Sequence, residues 1–429
     1  MSDHDYGCDN SDKTYPHKYE TTNAFVDFIG EAEDSPLSKR AAAGKGVYGV
    51  KIFDFDRTNT ILVPESKACI DPDMIDCIPS YSNKSVAIFV LDVRTNKDAW
   101  NSSSGDFLGE EQWEWFEGAM SKSRATVNVV VNGLQVNSNL FPNPNIAESW
   151  TSFPKAQQRL YDTVLGGALA PILVSGDVHM AQMIRTYCQN VRNPQQRRPL
   201  VEVTTSGMTH SWGRIHTPPI NDKDGTWPSW VDYVVNFVGW TAMQTMHYIL
   251  PWNHLANSDG AAYNGGIENA KRGIQYSLER NFGELEFDWE GRTVTIRVMG
   301  EDPNAPPLLA SRISLDQLSG RTQVHTDLVA ARDFELEVHK RQELRASKAE
   351  WTCVGHRGRV TTARELTGQA LVVISLGFIF GIPIFLGLYL SLRLIRFKRR
   401  RSKSRPLTPV PPLVPLDKHD SFSDSGSIN

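Results

Sequence analysis

Two short runs of acid and imidazole carry the residue types that chemistry needs. Ser175-Gly-Asp-Val-His179 follows an apolar run ending at Val174. Asp177 and His179, two apart on a strand-end loop, can both face one metal ion, and their oxygen and nitrogen donors suit Fe, Mn, Zn or a mixed centre. The same pentapeptide would serve equally well as a polar turn capping a following helix. Asp3-His-Asp5, followed by Tyr6-Gly7, could supply a ligand together with an acid or electrostatic group. At a chain end such a triplet is more often simply solvated.

Several β-branched runs must position these residues. Val86–Leu91 leads into Asp92-Val-Arg94, Val127–Val131 into Asn132-Gly-Leu-Gln135, Pro171–Val174 into the Asp177 loop, and Val201–Val203 into Thr204-Thr-Ser-Gly207. Continuous apolar strands are buried on both faces. Helices are expected between them, at Glu110–Met120 and at Pro154–Val164, the latter opening on a favourable N1 proline. Strand, helix, strand with polar loops predicts an α/β layered domain with its site at strand ends. Alternation at Leu285, Phe287, Trp289 and again at Val294, Ile296, Val298, around Glu290-Gly291, predicts a half-buried hairpin. Trp230–Trp252 is apolar but carries Asp232, Asn236, Gln244 and His247, and reads as a helix on the domain or at a membrane surface.

Ala370–Leu392 has no charged residue. At ~1.5 Å per residue it spans about 34 Å, enough for a hydrocarbon core of about 30 Å. It predicts one C-terminal transmembrane helix. Eight Lys/Arg follow between Arg393 and Arg405, and setting them aside takes the net charge of the chain from −4 to −12. The basic side should be cytosolic and the folded part lumenal or extracellular, with the basic stretch against membrane lipid and the Pro- and Ser-rich remainder disordered. The mildly acidic folded part gives no sign of a nucleic-acid partner. The sequons at Asn83 and Asn101 suit a glycoprotein. Cys69 and Cys77 could close a small loop or stay as free thiols, and no CxxC pair points to a thiolate zinc site.

Asp3-His-Asp-Tyr-Gly7 with Asn10 resembles a block of the PhoD-like phosphatases, a branch of the metallophosphoesterases. Later blocks resemble that family in order: Phe25–Gly30, Gly46-Val-Tyr48, Leu91-Asp-Val-Arg94, Leu108–Trp115, Asn132–Gln135, Glu148-Ser-Trp150, Phe153-Pro-Lys155, Ser175–His179, Thr205–His210 and Asn281-Phe-Gly283. The resemblance implies a layered αββα sandwich and a metal-dependent phosphatase or phosphodiesterase acting on phosphate esters, which the expected helix at Ala370–Leu392 would anchor in a membrane. By the same resemblance Asp3, Asp177 and His179 would ligate metal. His4 would contact phosphate or the leaving group, and Arg94 would orient a phosphate oxygen through its planar fork or else be structural. Two or more ions are implied, Fe and Ca by resemblance, with Mn or Zn as alternatives. His210 reads better as a core histidine, and Trp113 and Trp115 as packing.

The chain departs from the family pattern at its start. Ser2 stands where the family has aspartate, Cys8-Asp9 replaces a small residue, and the family's earlier ligand blocks have no counterpart before Asp3. No N-terminal signal is evident, so a truncated N-terminus and an incomplete sandwich are expected. The alternative is a catalytically inactive, membrane-anchored binding domain of the same fold. The expected organisation is a phosphatase domain at 1–347, a juxtamembrane linker at 348–369, the membrane helix at 370–392 and the tail at 393–429.

Overall fold

The apolar runs become adjacent strands because their Val and Ile side chains fit a pleated surface covered on both faces. The computed structural model describes residues 3–7, 10–56, 60–61, 82–100, 102, 104–137, 148–209, 211, 276–322, 349–355, 374, 377 and 381–403. The chain divides into two units, Met1–Ala370 and Leu371–Asn429.

In the first unit a helical turn, α1 (Asp3–Tyr6), precedes helices α2 (Lys18–Phe28) and α3 (Pro36–Ala42). Ser35 starts α3 by accepting from the Ser38 N–H at 3.1 Å, ahead of a proline in the first turn. Strands β1 (Gly49–Asp54), β2 (Thr60–Ile61) and β3 (Ser85–Val90) follow, then α4 (Glu110–Lys122) and β4 (Val127–Val131). A 3₁₀ turn at Trp150–Ser152 leads into α5 (Pro154–Gly167) and β5 (Pro171–Ser175). Next come β6 (Ala181–Asn190), β7 (Arg197–Thr205) and the short β8 (Tyr276–Ser277). The unit continues with β9 (Phe282–Asp288), β10 (Thr293–Met299), β11 (Leu309–Ser314), the single turn α6 (Leu315–Leu318) and β12 (Trp351–Gly355).

Nine strands form one sheet in the order β12-β6-β7-β5-β4-β3-β1-β2, with β8 beside β6. Its centre, β3, β4, β5 and β7, is parallel, so the loops after these strands gather at one edge. Strands β9, β10 and β11 form a separate antiparallel sheet, including the expected hairpin. Alternate residues of the large sheet face two cores. Phe89, Val130, Leu173 and Leu200 meet Trp113 and Phe116 of α4 and Leu160 and Val164 of α5. Val86, Val129, Ile172 and Val203 meet Val294, Ile296 and Ile313 of the small sheet. A cavity of about 330 Å³, lined by Val131, Val174, Leu285 and Phe287, lies between the sheets.

The result is a mixed α/β domain of a helix layer, a large sheet and a small sheet. Among the described residues the small sheet is followed by the single turn α6, which packs on β7 and β11 with Leu315 and Leu318 in the core between the sheets. Two features differ from expectation. The segment after Asp177 enters strand β6, so that loop caps no helix. The range expected to be linker contributes β12, which pairs antiparallel with β6. Cys353 stands opposite Cys188 in that pairing and is bonded to it, with the Cα atoms 4.0 Å apart. Cys69 and Cys77 lie outside the described residues.

In the second unit, α7 (Ile382–Lys403) does not end at Leu392 but runs on through the basic cluster. Among the described residues no helix is long and apolar enough to cross a membrane. Most of Ala370–Gly381, the first half of the expected span, lies outside those residues, as does Trp230–Trp252.

Candidate functional site

The loop after β3 is built around Asp92. Its fully buried carboxylate accepts from the backbone N–H of Arg94 at 2.9 Å and of Thr95 at 3.1 Å, and from the Thr95 hydroxyl at 2.6 Å. It also accepts from the Val47 N–H at 2.9 Å. Gly46 makes that approach feasible: its φ is +113°, and a Cβ there would stand 2.9 Å from the Asp92 carboxylate. Gln112 of α4 holds the same loop from behind, accepting from the Asp92 N–H and donating to the Asp92 carbonyl, each at 2.8 Å.

This loop sends Arg94 and Lys97 into the interior, where neither side chain is exposed. Both reach Glu148, just before the 3₁₀ turn. The Arg94 Nη2 forms an ion pair with it, and the Lys97 Nζ lies 3.1 Å from its Oε1. Trp100 donates its indole N–H to the same oxygen at 2.8 Å, and Lys97 sits over the Trp100 ring, 4.1 Å from its centre. Burial pulls the Lys97 ammonium below the ordinary lysine range, against the pull of Glu148. The same Arg94 Nη2 lies 3.6 Å from Oδ1 of Asp177, on the loop after β5. The structure therefore brings Arg94 and Asp177 together from the ends of β3 and β5, the two strands that flank β4.

Asp177 and His179 both have positive φ, +75° and +51°. Such backbone costs a non-glycine residue about 1–3 kcal/mol and clusters at functional sites. The His179 N–H donates to the Ser206 hydroxyl at 3.1 Å, fastening the loop after β5 to the loop after β7. Both side chains are half-buried, at the mouth of the site.

The N-terminal block is tied to the same cluster. Lys97 donates to the carbonyls of Asn10 at 3.1 Å and Ser11 at 3.3 Å. Arg94 reaches the Ser11 carbonyl at 3.4 Å, and the Lys13 N–H donates to the Lys97 carbonyl at 2.9 Å. Tyr6 is fully buried beside Tyr15, their ring centres 5.2 Å apart. Asp3 and His4 belong to α1, a few residues before these contacts. Their side chains, and His210, lie outside what the structure describes.

Beneath the loops is a buried polar layer. Glu202 of β7 accepts from the Val136 and Asn137 N–H groups, each at 2.7 Å. Burial pushes its carboxyl above the usual range, opposed by these donors. Gln135 donates to Gln182 at 2.8 Å and to Thr204 at 2.9 Å, and Ser175 and Thr204 share a hydrogen bond of 2.9 Å. The Trp150 indole donates to Asn132 at 3.0 Å.

Sequence reasoning placed Asp92 and Glu148 within motif blocks and gave them no role; it passed over Lys97. The signal was their company: a lysine three residues after Arg94, and an acid before a buried tryptophan. For a metal, Asp177 and His179 are the donors in view. Among the described residues no group of three or more His, Cys, Asp or Glu side chains is placed to hold an ion, so those residues do not by themselves make a metal site.

A search of curated proteins finds no match. A structure of PhoD matches at 15% identity and a TM-score of 0.34, covering 81% of this chain and 60% of that one. The chain thus spans about three fifths of that protein's length. The sequence model of the PhoD-like phosphatases matches residues 71–244. The segment 71–244, which holds Arg94, Glu148, Asp177 and His179, is therefore the part of the chain that is similar to the PhoD-like phosphatases.

Proposed function

We propose that this chain is a phosphoric ester hydrolase, acting on monoesters or diesters at the ends of β3 and β5. The family match supports the reaction class. The single observation that carries the site is the buried Arg94 guanidinium held 3.6 Å from Asp177 beside the positive-φ loop. Arg94 orients a phosphoryl oxygen by its planar fork, and Glu148 and Lys97 keep that fork in place. Metal dependence, with Fe and Ca as the family's ions, is a separate part of the proposal. It requires the Asp3 side chain to join Asp177 and His179, and no step is assigned to the ion.

The test is hydrolysis of a generic phosphomonoester and phosphodiester by the full chain, with and without chelator. Asp177→Asn or His179→Ala should lower kcat/KM by roughly 10²–10³-fold with the fold intact, and chelation should do the same. Wild-type rates in both variants would remove the site from this loop. One observation favours the second reading, an inactive binding domain: Arg94 is already engaged by both Glu148 and Asp177. Saturable binding of inorganic phosphate with no turnover would favour it.

We further infer that the domain is lumenal or extracellular and held by a membrane helix over 370–392. The hydrophobic run and the basic residues after it support this. So does the Cys188–Cys353 bond, since disulfides persist chiefly in oxidising compartments. Asn83 is exposed in the turn before β3, as a glycosylated asparagine must be; Asn101 lies outside the described residues.

A further inference from the structure

We propose that Glu148 is a positioning residue, which aims Arg94 at the site and at the same time locks the N-terminal block to it. The inference rests on the hydrolase reading for its kinetic consequence, but its structural half stands without it.

Glu148 is nearly inaccessible, and so are both of its cationic partners. Two buried cations share one buried carboxylate, and a further carboxylate acts on each, Asp12 on Lys97 and Asp177 on Arg94. Of these, Asp177 lies at the mouth of the site. Glu148 therefore divides the labour of the cluster. It pairs with both cations and holds Arg94 within reach of Asp177 and of any anion bound there. Its two oxygens serve different partners: one pairs with Arg94, the other with Lys97 and the Trp100 indole. This fixes the Arg94 fork at Nη2, the same nitrogen that lies 3.6 Å from Asp177, while Nη1 reaches the Ser11 carbonyl. A buried charge set of this kind is held by geometry, because removing one member strands the others.

The Lys97 arm does the second job. Pinned by Glu148, its ammonium also binds the carbonyls of Asn10 and Ser11, and its own carbonyl takes the Lys13 N–H. Asn10 itself sits at φ +55°, a conformation the surrounding contacts must hold. Through one carboxylate, the segment following Asp3-His4 is fixed relative to the loop carrying Asp177 and His179.

The test uses Glu148→Gln, which keeps one acceptor oxygen for Trp100 and Lys97, removes the charge and turns an amide donor towards Arg94. Arg94 should then collapse onto Asp177 and withdraw from anions. Competitive inhibition by inorganic phosphate should weaken at least 10-fold and kcat/KM fall about 100-fold, with Glu148→Asp recovering part of both. Amide exchange at Lys13 should accelerate at least 10-fold while exchange in β4 and β5 is unchanged. A purely structural role would not link the phosphate effect to Lys13. Should Glu148→Gln fail to fold, the double variant Glu148→Gln/Lys97→Met restores the balance of buried charge. The proposal requires that the double variant fold yet keep weak phosphate binding. Phosphate binding and Lys13 exchange like wild type in either variant overturn it. If the wild-type chain hydrolyses nothing, the hydrolase reading fails, and Lys13 exchange and phosphate binding still decide the role of Glu148.

Discussion

Breaking the Cys188–Cys353 bond should cost the domain a large part of its stability. The bond closes a sequence separation of 165 residues. Loop-closure entropy for a separation of that size gives about 5 kcal/mol, while native disulfides typically contribute about 2–4 kcal/mol. The local structure argues for a value inside that bracket. Among the described residues, strand β12 is an edge strand paired with β6 alone. It is also held by Trp351, which is buried, and by Asp162, whose carboxylate accepts from the Trp351 N–H at 2.8 Å and the Glu350 N–H at 3.1 Å. Gln158 donates to the Trp351 carbonyl at 2.7 Å. Those contacts survive loss of the bond, so β12 should stay docked in the native state while the unfolded chain gains freedom. Cys188→Ala, Cys353→Ala and the double variant should lower the melting temperature alike, by roughly 5–15 °C, and reductant should bring the wild type to the same value. Thermal denaturation of the full chain, with and without reductant, makes the measurement. The reasoning is refuted if the double variant melts with the wild type. It is equally refuted if both thiols alkylate in the folded protein without reductant.

Two further outcomes follow from the buried layer and the anchor. Glu202 has its carboxyl raised by burial. Its contribution to stability is therefore complete below the ordinary carboxylate range and is lost as pH rises through the raised value. Glu202→Gln, which points an amide at two N–H donors, should cost about 1–3 kcal/mol; urea midpoints should show that deficit shrinking from pH 5 to pH 8, and a deficit growing with pH would contradict the assignment. Protease added to the cytosolic face of sealed microsomes should remove only the tail beyond α7 and leave any glycan at Asn83 protected; digestion of the whole domain from that side would reverse the proposed orientation.

What the sequence by itself determined was whatever one element could express alone. The four apolar runs read as strands covered on both faces, and the helices α4 and α5 were expected between them, the latter from its N1 proline. The Asp177–His179 loop was legible because it interrupts one such strand with ligand-type residues, and the order of the motif blocks pointed to the family. Strand β6 was not legible, because its two buried faces include Gln182 and Thr186 on one and Arg185 and Gln189 on the other. Polar residues of this kind are buried only when neighbours supply partners, and no period along the chain reports that. The same holds for β12, whose place depends on Cys353 meeting Cys188 from far along the chain. It holds most for the site. Arg94, Lys97, Glu148 and the carbonyls of Asn10 and Ser11 come from three separate stretches, and each charge is tolerable inside the domain only because the others are there. Sequence can name the residues of such a cluster; only the folded chain, by removing water from around them, decides that they must pair.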